Sequence, residues 1–272
     1  MQNLVIGDSS QLGKYFPSTI KKISSRNLNY NALTSCHWDT IYLCYAEQRT
    51  YLANDHTMEA SFMDVNVDNV KETITKLQSV SNKIVYYSTA ELWNNCTGSV
   101  STDTPFSFVE NYYTLSKAKI TEELKNKNKY PNVSIAYPFN FNSVHRKNDY
   151  LFGKIFHSLL KNEPVEIGDT YYYRELLHPK MVVDASMNHI GQGKDFVIGS
   201  GRLVFVNDFI RSLFSGLGKD YIHLVNEKFT DFSTYRTKMF YSAESNKYCS
   251  INALFDITIN ELKQNITHER IT

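Results

Sequence analysis

Over its first 140 residues the chain alternates short apolar runs with stretches of helical character. Leu4-Val-Ile6 ends at Gly7, and a helix-like stretch continues through Lys22. A second strand is expected around Lys22-Ile-Ser-Ser-Arg26, and Asp39-Thr-Ile-Tyr-Leu-Cys-Tyr45 reads as a third. Phe62 to Asp68 leads into a helix reaching about Ser79, and the strand Lys83-Ile-Val-Tyr-Tyr87 follows. A helix from about Phe108 to Asn126 precedes the strand Asn132-Val-Ser-Ile-Ala136. Mostly apolar runs suit strands covered on both faces, and their alternation with helices predicts an α/β fold with a Rossmann-type, doubly wound parallel sheet. Such a sheet binds ligands in the crevice at the carboxyl ends of its strands.

Beyond residue 140 the pattern loosens. A helix over Leu151 to Lys161, a turn and strand start over Tyr171 to His178, the strand Asp195-Phe-Val-Ile-Gly199 and helices over Leu203–Leu217 and Ile251–Ile266 are expected. This divides the chain into a nucleotide-binding domain (1–142 and 175–205) and a small C-terminal substrate-binding lobe (143–174 and 206–272). With 272 residues, 42% of them hydrophobic, the chain can bury a sizeable core. A formal net charge of +1 argues against nucleic acid or a membrane surface as partner. Cys36, Cys44, Cys96 and Cys249 include no C-x-x-C pair and no histidine cluster completes a zinc set, so no metal is expected and reduced thiols fit best. No segment approaches 18 apolar residues, and a cytoplasmic protein is the expectation.

Tyr113 and Lys117 stand four residues apart on one helix face. A lysine ammonium beside a phenol would lower the phenol pKa and let it exchange a proton near neutral pH. Thr89, just after the strand ending at Tyr87, would add a hydroxyl donor to the same substrate oxygen, and Glu91 a possible base. At the N-terminus, Gly7 and Gly13 match the first and last glycines of a dinucleotide turn, with Ser10 in the middle place, where its hydroxyl could meet a phosphate. The tip of the second strand carries no carboxylate for a ribose 2′-hydroxyl. Arg26, preceded by Ser24 and Ser25, suits a 2′-phosphate and favours NADP, with NAD possible. His145, Arg146 and Lys147 read as a solvated basic loop that could instead meet a diphosphate, and His178 as a packed histidine.

These motifs, in this order, resemble the extended short-chain dehydrogenases/reductases, the nucleotide-sugar epimerase, dehydratase and reductase group. Gly7-x-x-Ser-x-x-Gly13, Asp64-Val-Asn-Val67, Ser88-Thr-Ala-Glu-Leu92, Asp103-Thr-Pro-Phe106 followed by Tyr113-x-x-x-Lys117, Pro138-Phe-Asn140 and Arg174-Glu-Leu-Leu-His178 carry the resemblance. Ser10, Tyr137 (where arginine is usual) and Leu-Trp-Asn after Glu91 depart from it. The resemblance implies Tyr113, Lys117, Thr89 and Glu91 as catalytic residues. The cofactor set is Gly7, Ser9, Ser10, Gln11, Leu12, Gly13, Ser25, Arg26, Tyr45, Ala46, Tyr113, Lys117, Tyr137 and Pro138, and Thr89, Asn140 and Arg174 would contact a nucleotide-linked sugar. The implied reaction is NADPH-dependent reduction of a 4-keto-6-deoxy sugar nucleotide. The alternatives are a 4,6-dehydratase or epimerase with a tightly held cofactor, and a non-catalytic cofactor-binding regulator. A homodimer through helices around 67–79 and 108–126 is also implied, with Phe108 and Ile120 able to face the partner.

Overall fold

In the computed structural model, which describes residues 2–189, 191–228 and 239–269, six parallel strands form one sheet. They are β1 (Asn3–Ile6), β2 (Lys21–Ile23), β3 (Trp38–Leu43), β4 (Ser81–Tyr87), β5 (Val133–Pro138) and β6 (Phe196–Ile198), in the order β6-β5-β4-β3-β1-β2. Leu4, Val5, Ile6, Ile84, Val85 and Ile135 are all buried, as apolar runs between two helical layers require. The expected sheet is therefore present, and its strand order reverses at β1, so the ligand crevice lies at the carboxyl ends of β1 and β3.

On one side of that crevice the sheet is shorter than the three strands common in doubly wound folds: among the described residues β1 and β2 alone wall it, with β2 at the edge. The helix between them, α1 (Gln11–Tyr15), has five residues, not the expected run to Lys22. Pro17 follows its C-cap Phe16, and a residue preceding proline is disfavoured in the helical region. Lys21 and Lys22 occupy the open edge, where charge discourages pairing with another chain.

After α2 (Tyr30–Thr34), α3 spans 59–77 and contains a π-helical segment at Asp64–Asp68. The wider turn brings fully buried Asn66 to three partners. Its amide donates to Ser116 Oγ (3.0 Å) and Glu47 O (3.2 Å) and accepts from Glu47 N (2.8 Å), stapling the loop after β3 to α4 (Tyr112–Leu124). Asn111 starts α4 with a reciprocal capping box to Thr114. Ile120 is fully buried inside the chain. It is spent on the chain's own core and is not available to a second chain, contrary to the sequence expectation.

The later elements are α5 (Leu151–Lys161), α6 (Pro179–Met187), α7 (Val206–Gly216) and α8 (Ile251–Glu269). Short strand pairs join them, among them Asn140–Phe141 with Leu176–Leu177 and Tyr173–Arg174 with Val204–Phe205. Glu175 is a buried staple whose carboxylate accepts from the backbone of Ser200, Gly201 (2.9 Å) and Ser242 (2.7 Å). No helix of the described residues is long and apolar enough to cross a membrane.

Candidate active site

The turn after β1 is shaped by close backbone approach. Gly7 has φ of +104°, and a Cβ there would come within 2.9 Å of the Cys44 carbonyl carbon at the end of β3. A Cβ on Gly13 would overlap the Gly7 carbonyl oxygen. Both glycines are therefore demanded by packing between the turn, its helix and β3. Ser10 behaves differently from the expectation. Its hydroxyl donates to Gly7 O (2.7 Å) and accepts from Gly13 N (2.9 Å), so it caps α1 and closes the turn on itself. Ser25 is half-buried and Arg26 exposed just past β2. Gly7 N and Asp8 N both donate to Ile23 O (2.9 and 3.1 Å), which brings the tip of β2 against the turn.

Strand ends deliver the remaining groups to one cavity of about 290 Å³. Tyr45 and Ala46 line it from β3, Thr89 and Glu91 from β4, Pro138 and Asn140 from β5, Tyr113 and Lys117 from α4, and Leu12 from the turn. Tyr45, Thr89 and Pro138 lie at or just past the carboxyl ends of their strands, where such a sheet opens to a ligand. Thr89 caps a short helical turn (Ala90–Trp93) by accepting from Glu91 N (3.2 Å). That leaves its own hydroxyl hydrogen to donate elsewhere. The Glu91 carboxylate accepts from Asn94 Nδ2 at 3.1 Å.

The electrostatics differ from the simple Tyr/Lys picture. Tyr113 is buried, and desolvation pushes its phenol up to about 12, with a hydrogen bond from Thr89 pulling the other way, Glu91 raising it further and Arg146 lowering it. Lys117 is buried without a carboxylate, and desolvation lowers its ammonium to about 7. Its hydrogen bonds go to Tyr86 Oη (3.2 Å) and Tyr87 O (2.9 Å). The phenol is thus a protonated acid at neutral pH, rather than a poised phenolate.

Arg146 is the residue sequence reasoning misplaced. The loop read as solvated turns it into the cavity. Its Nε is buried without a hydrogen-bond partner, and its guanidinium lies 3.6 Å from the Tyr150 ring centroid. Loop 143–146 is pinned by Ser143 Oγ to Gln11 Oε1 (3.3 Å) and Val144 N to Glu261 Oε2 (3.2 Å), contacts far apart in sequence.

Of the expected contacts, Gly7, Ser9, Ser10, Gln11, Gly13, Ser25, Arg26, Tyr137 and Arg174 sit outside the cavity lining. Tyr137, in the place where the family has arginine, is buried in an aromatic cluster with Trp93 and Phe106 (centroids 5.1 and 6.1 Å), so it packs the core and does not reach a cofactor. Arg174 lies over the Tyr172 ring at 5.4 Å, on the strand paired to Val204–Phe205. His178 is packed, as expected. Its Nδ1 accepts from Lys180 N (3.2 Å), so Nε2 carries the proton it donates to Glu261 (3.2 Å). No group of three or more His, Cys, Asp or Glu that could hold a metal occurs among the described residues.

A doubly wound sheet with Thr, Tyr and Lys converging at its switch point is the architecture of the extended short-chain dehydrogenases/reductases, and the chain has that fold. No protein-family model matches the sequence, and no curated protein does. Solved structures match over nearly full length. RMD from Pseudomonas aeruginosa, complexed with NADPH, superposes with a TM-score of 0.78 at 13% identity over 98% of this chain and 99% of that one. UDP-glucuronic acid 4-epimerase from Bacillus cereus, with UDP-glucuronic acid and NAD, gives 0.77 at 15% over 97% and 99%. The dTDP-glucose 4,6-dehydratase DesIV from Streptomyces venezuelae, with NAD bound, gives 0.76 at 16% over 97% and 98%.

Proposed function

We propose that the chain is an NAD(P)-dependent oxidoreductase acting on a nucleotide-linked sugar, and that its reaction is reduction of a 4-keto-6-deoxy sugar by NADPH. The observation that carries this reading is the convergence of Thr89, Tyr113 and Lys117 in one cavity at the switch point. The neighbours named above, with NAD or NADPH and, in the epimerase, UDP-glucuronic acid, support the same class. The residues present fit a dinucleotide. The Gly7 and Gly13 turn brings backbone to the crevice, and the buried Lys117 keeps an N–H for a ribose. Arg26, exposed at the tip of β2 with no ion pair among the described residues, can meet a 2′-phosphate.

Bound NADPH supplies a hydride to the keto carbon. Tyr113 gives its proton to the oxygen that becomes an alkoxide, and Thr89 donates a hydrogen bond to the same oxygen. Lys117 holds the ribose, while Asn140 meets the sugar. Arg146 adds a permanent cation for an anionic, diphosphate-bearing substrate. Residues 143–174, 206–228 and 239–269 would close the substrate side, with Arg174 toward the nucleotide.

One feature favours reduction over dehydration or epimerisation. The adenosine half of the crevice has two strands, a shallow wall that suits an exchanged cofactor better than a tightly held one. Glu91, in the cavity, supports the dehydratase as a second reading. Incubation with nucleotide-linked keto sugars and NADPH, with products identified by mass, tests the proposal; no NADPH-dependent product from any of them would refute it.

A further inference from the structure

Tyr86 is fully buried on β4, and no step of the proposed reaction uses it. Its Oη lies 3.2 Å from Lys117 Nζ, and its ring centroid lies 4.8 Å from the same nitrogen. The other acceptor on Lys117 is Tyr87 O at 2.9 Å. No carboxylate pairs with Lys117 among the described residues. Thr121, one helical turn beyond Lys117 on α4, lies near the Tyr86 phenol and shares a 2.7 Å bond with Ser88 Oγ.

A phenol accepts and donates at once, and an ammonium carries three N–H groups. Tyr86 can therefore accept from Lys117 and still have its own hydrogen to donate toward Thr121. With two N–H groups taken by Tyr86 and Tyr87, one remains for the cavity that Lys117 lines. A buried ammonium without a counter-charge is costly, and neutral oxygen acceptors such as the Tyr86 phenol and the Tyr87 carbonyl offset part of that cost.

We propose that Tyr86 is the positioning residue of this site: its phenol aims the free N–H of Lys117 into the cleft and, by accepting from the ammonium, favours its charged form for the cofactor ribose. This rests on the reading that the cleft holds a dinucleotide.

The test is NADPH affinity against pH, by fluorescence titration, for the wild type, Tyr86→Phe, Thr121→Val and Lys117→Met. The groups around the pair are Tyr113 on α4, Tyr45 after β3 and Tyr137 on β5, all raised by burial above the ordinary phenol range, with Glu91 and Arg146 in the same cavity. Lys117, lowered to about 7, titrates in the window. Charge on it favours binding, so wild-type affinity falls as pH rises through about 7, and the 2′-phosphate of the probe titrates alike for every variant. Tyr86→Phe keeps the ring and loses the acceptor. Its midpoint moves down by about one pH unit, leaving affinity about tenfold weaker near pH 8 and within about twofold near pH 5.5. Thr121→Val leaves the midpoint in place, and Lys117→Met removes the dependence. If Tyr86→Phe fails to fold, a fluorotyrosine at position 86 keeps the shape, weakens the acceptor and moves the midpoint the same way. An unchanged midpoint in Tyr86→Phe, or a uniform loss at every pH, overturns the role of Tyr86 and leaves the cofactor reading standing. Absence of NADPH binding by the wild type overturns both.

Discussion

The guanidinium of Arg146 lies 3.6 Å from the centroid of the Tyr150 ring, and the Tyr150 phenol is tied in turn to the Gln48 carbonyl, which lines the same cavity. The pair fixes beside Tyr113 an arginine that has no carboxylate partner among the described residues. Charge-assisted hydrogen bonds to an anionic ligand contribute about 1.5–3 kcal/mol. Arg146→Gln should therefore weaken binding of a nucleotide diphosphate sugar by about 10- to 150-fold and leave NADPH affinity within about twofold. Calorimetric titration of both ligands checks this, and equal loss for both would place Arg146 on the cofactor instead.

Arg26→Ala should discriminate between cofactors. A lost bidentate contact to the 2′-phosphate weakens NADPH by about 10- to 150-fold, while NADH binding stays nearly unchanged. A parallel drop in both affinities would remove Arg26 from the 2′ position.

Gly13→Ala should be destabilising, because the new methyl meets the Gly7 carbonyl and the Asp8 backbone, neither of which is a flexible side-chain end. Overpacking of this kind costs about 1–3 kcal/mol. Urea denaturation measures it; a variant as stable as the wild type would show that the turn has room to shift.

Burial of Lys117 has a stability signature. Its folded-state value, about 7, lies below the ordinary 10.5. Between the two, the unfolded chain binds the extra proton, so this group's contribution to stability rises as pH climbs from about 7 toward 10. Below that window the folded protein carries the full penalty, at most about 5 kcal/mol at roughly 1.4 kcal/mol per unit. Lys117→Met should therefore be more stable than the wild type near pH 6, with the gap narrowing by pH 9. Thermal melts across that range test it, and a gap independent of pH would contradict the assignment.

Much of this site was legible because its signals are local. Gly7 and Gly13 sit where a strand meets a helix, Thr89 follows an apolar strand directly, and Tyr113 and Lys117 share a helix face by spacing alone. What escaped depends on contacts across the fold. Arg146 looked like part of a solvated basic run, and only the anchoring of its loop to Gln11 and Glu261 turns it inward. Lys117 finds its partner 31 residues upstream on β4. Burial, which spacing does not report, reverses the expected direction of the Tyr113 shift. Ser10 fits the phosphate position by sequence, yet its hydroxyl is consumed within its own turn.

The reductase reading turns on where the hydride goes. With NADPH deuterated on the transferred position and a nucleotide-linked 4-keto-6-deoxy sugar, mass spectrometry should find one deuterium on the product carbon and one NADPH consumed per product. Tyr113→Phe should lower turnover by roughly 10²–10⁴-fold, and Glu91→Gln should keep most of it. Turnover of a 6-hydroxylated nucleotide sugar without net NADPH consumption, lost in Glu91→Gln, would contradict the account and establish the dehydratase in its place.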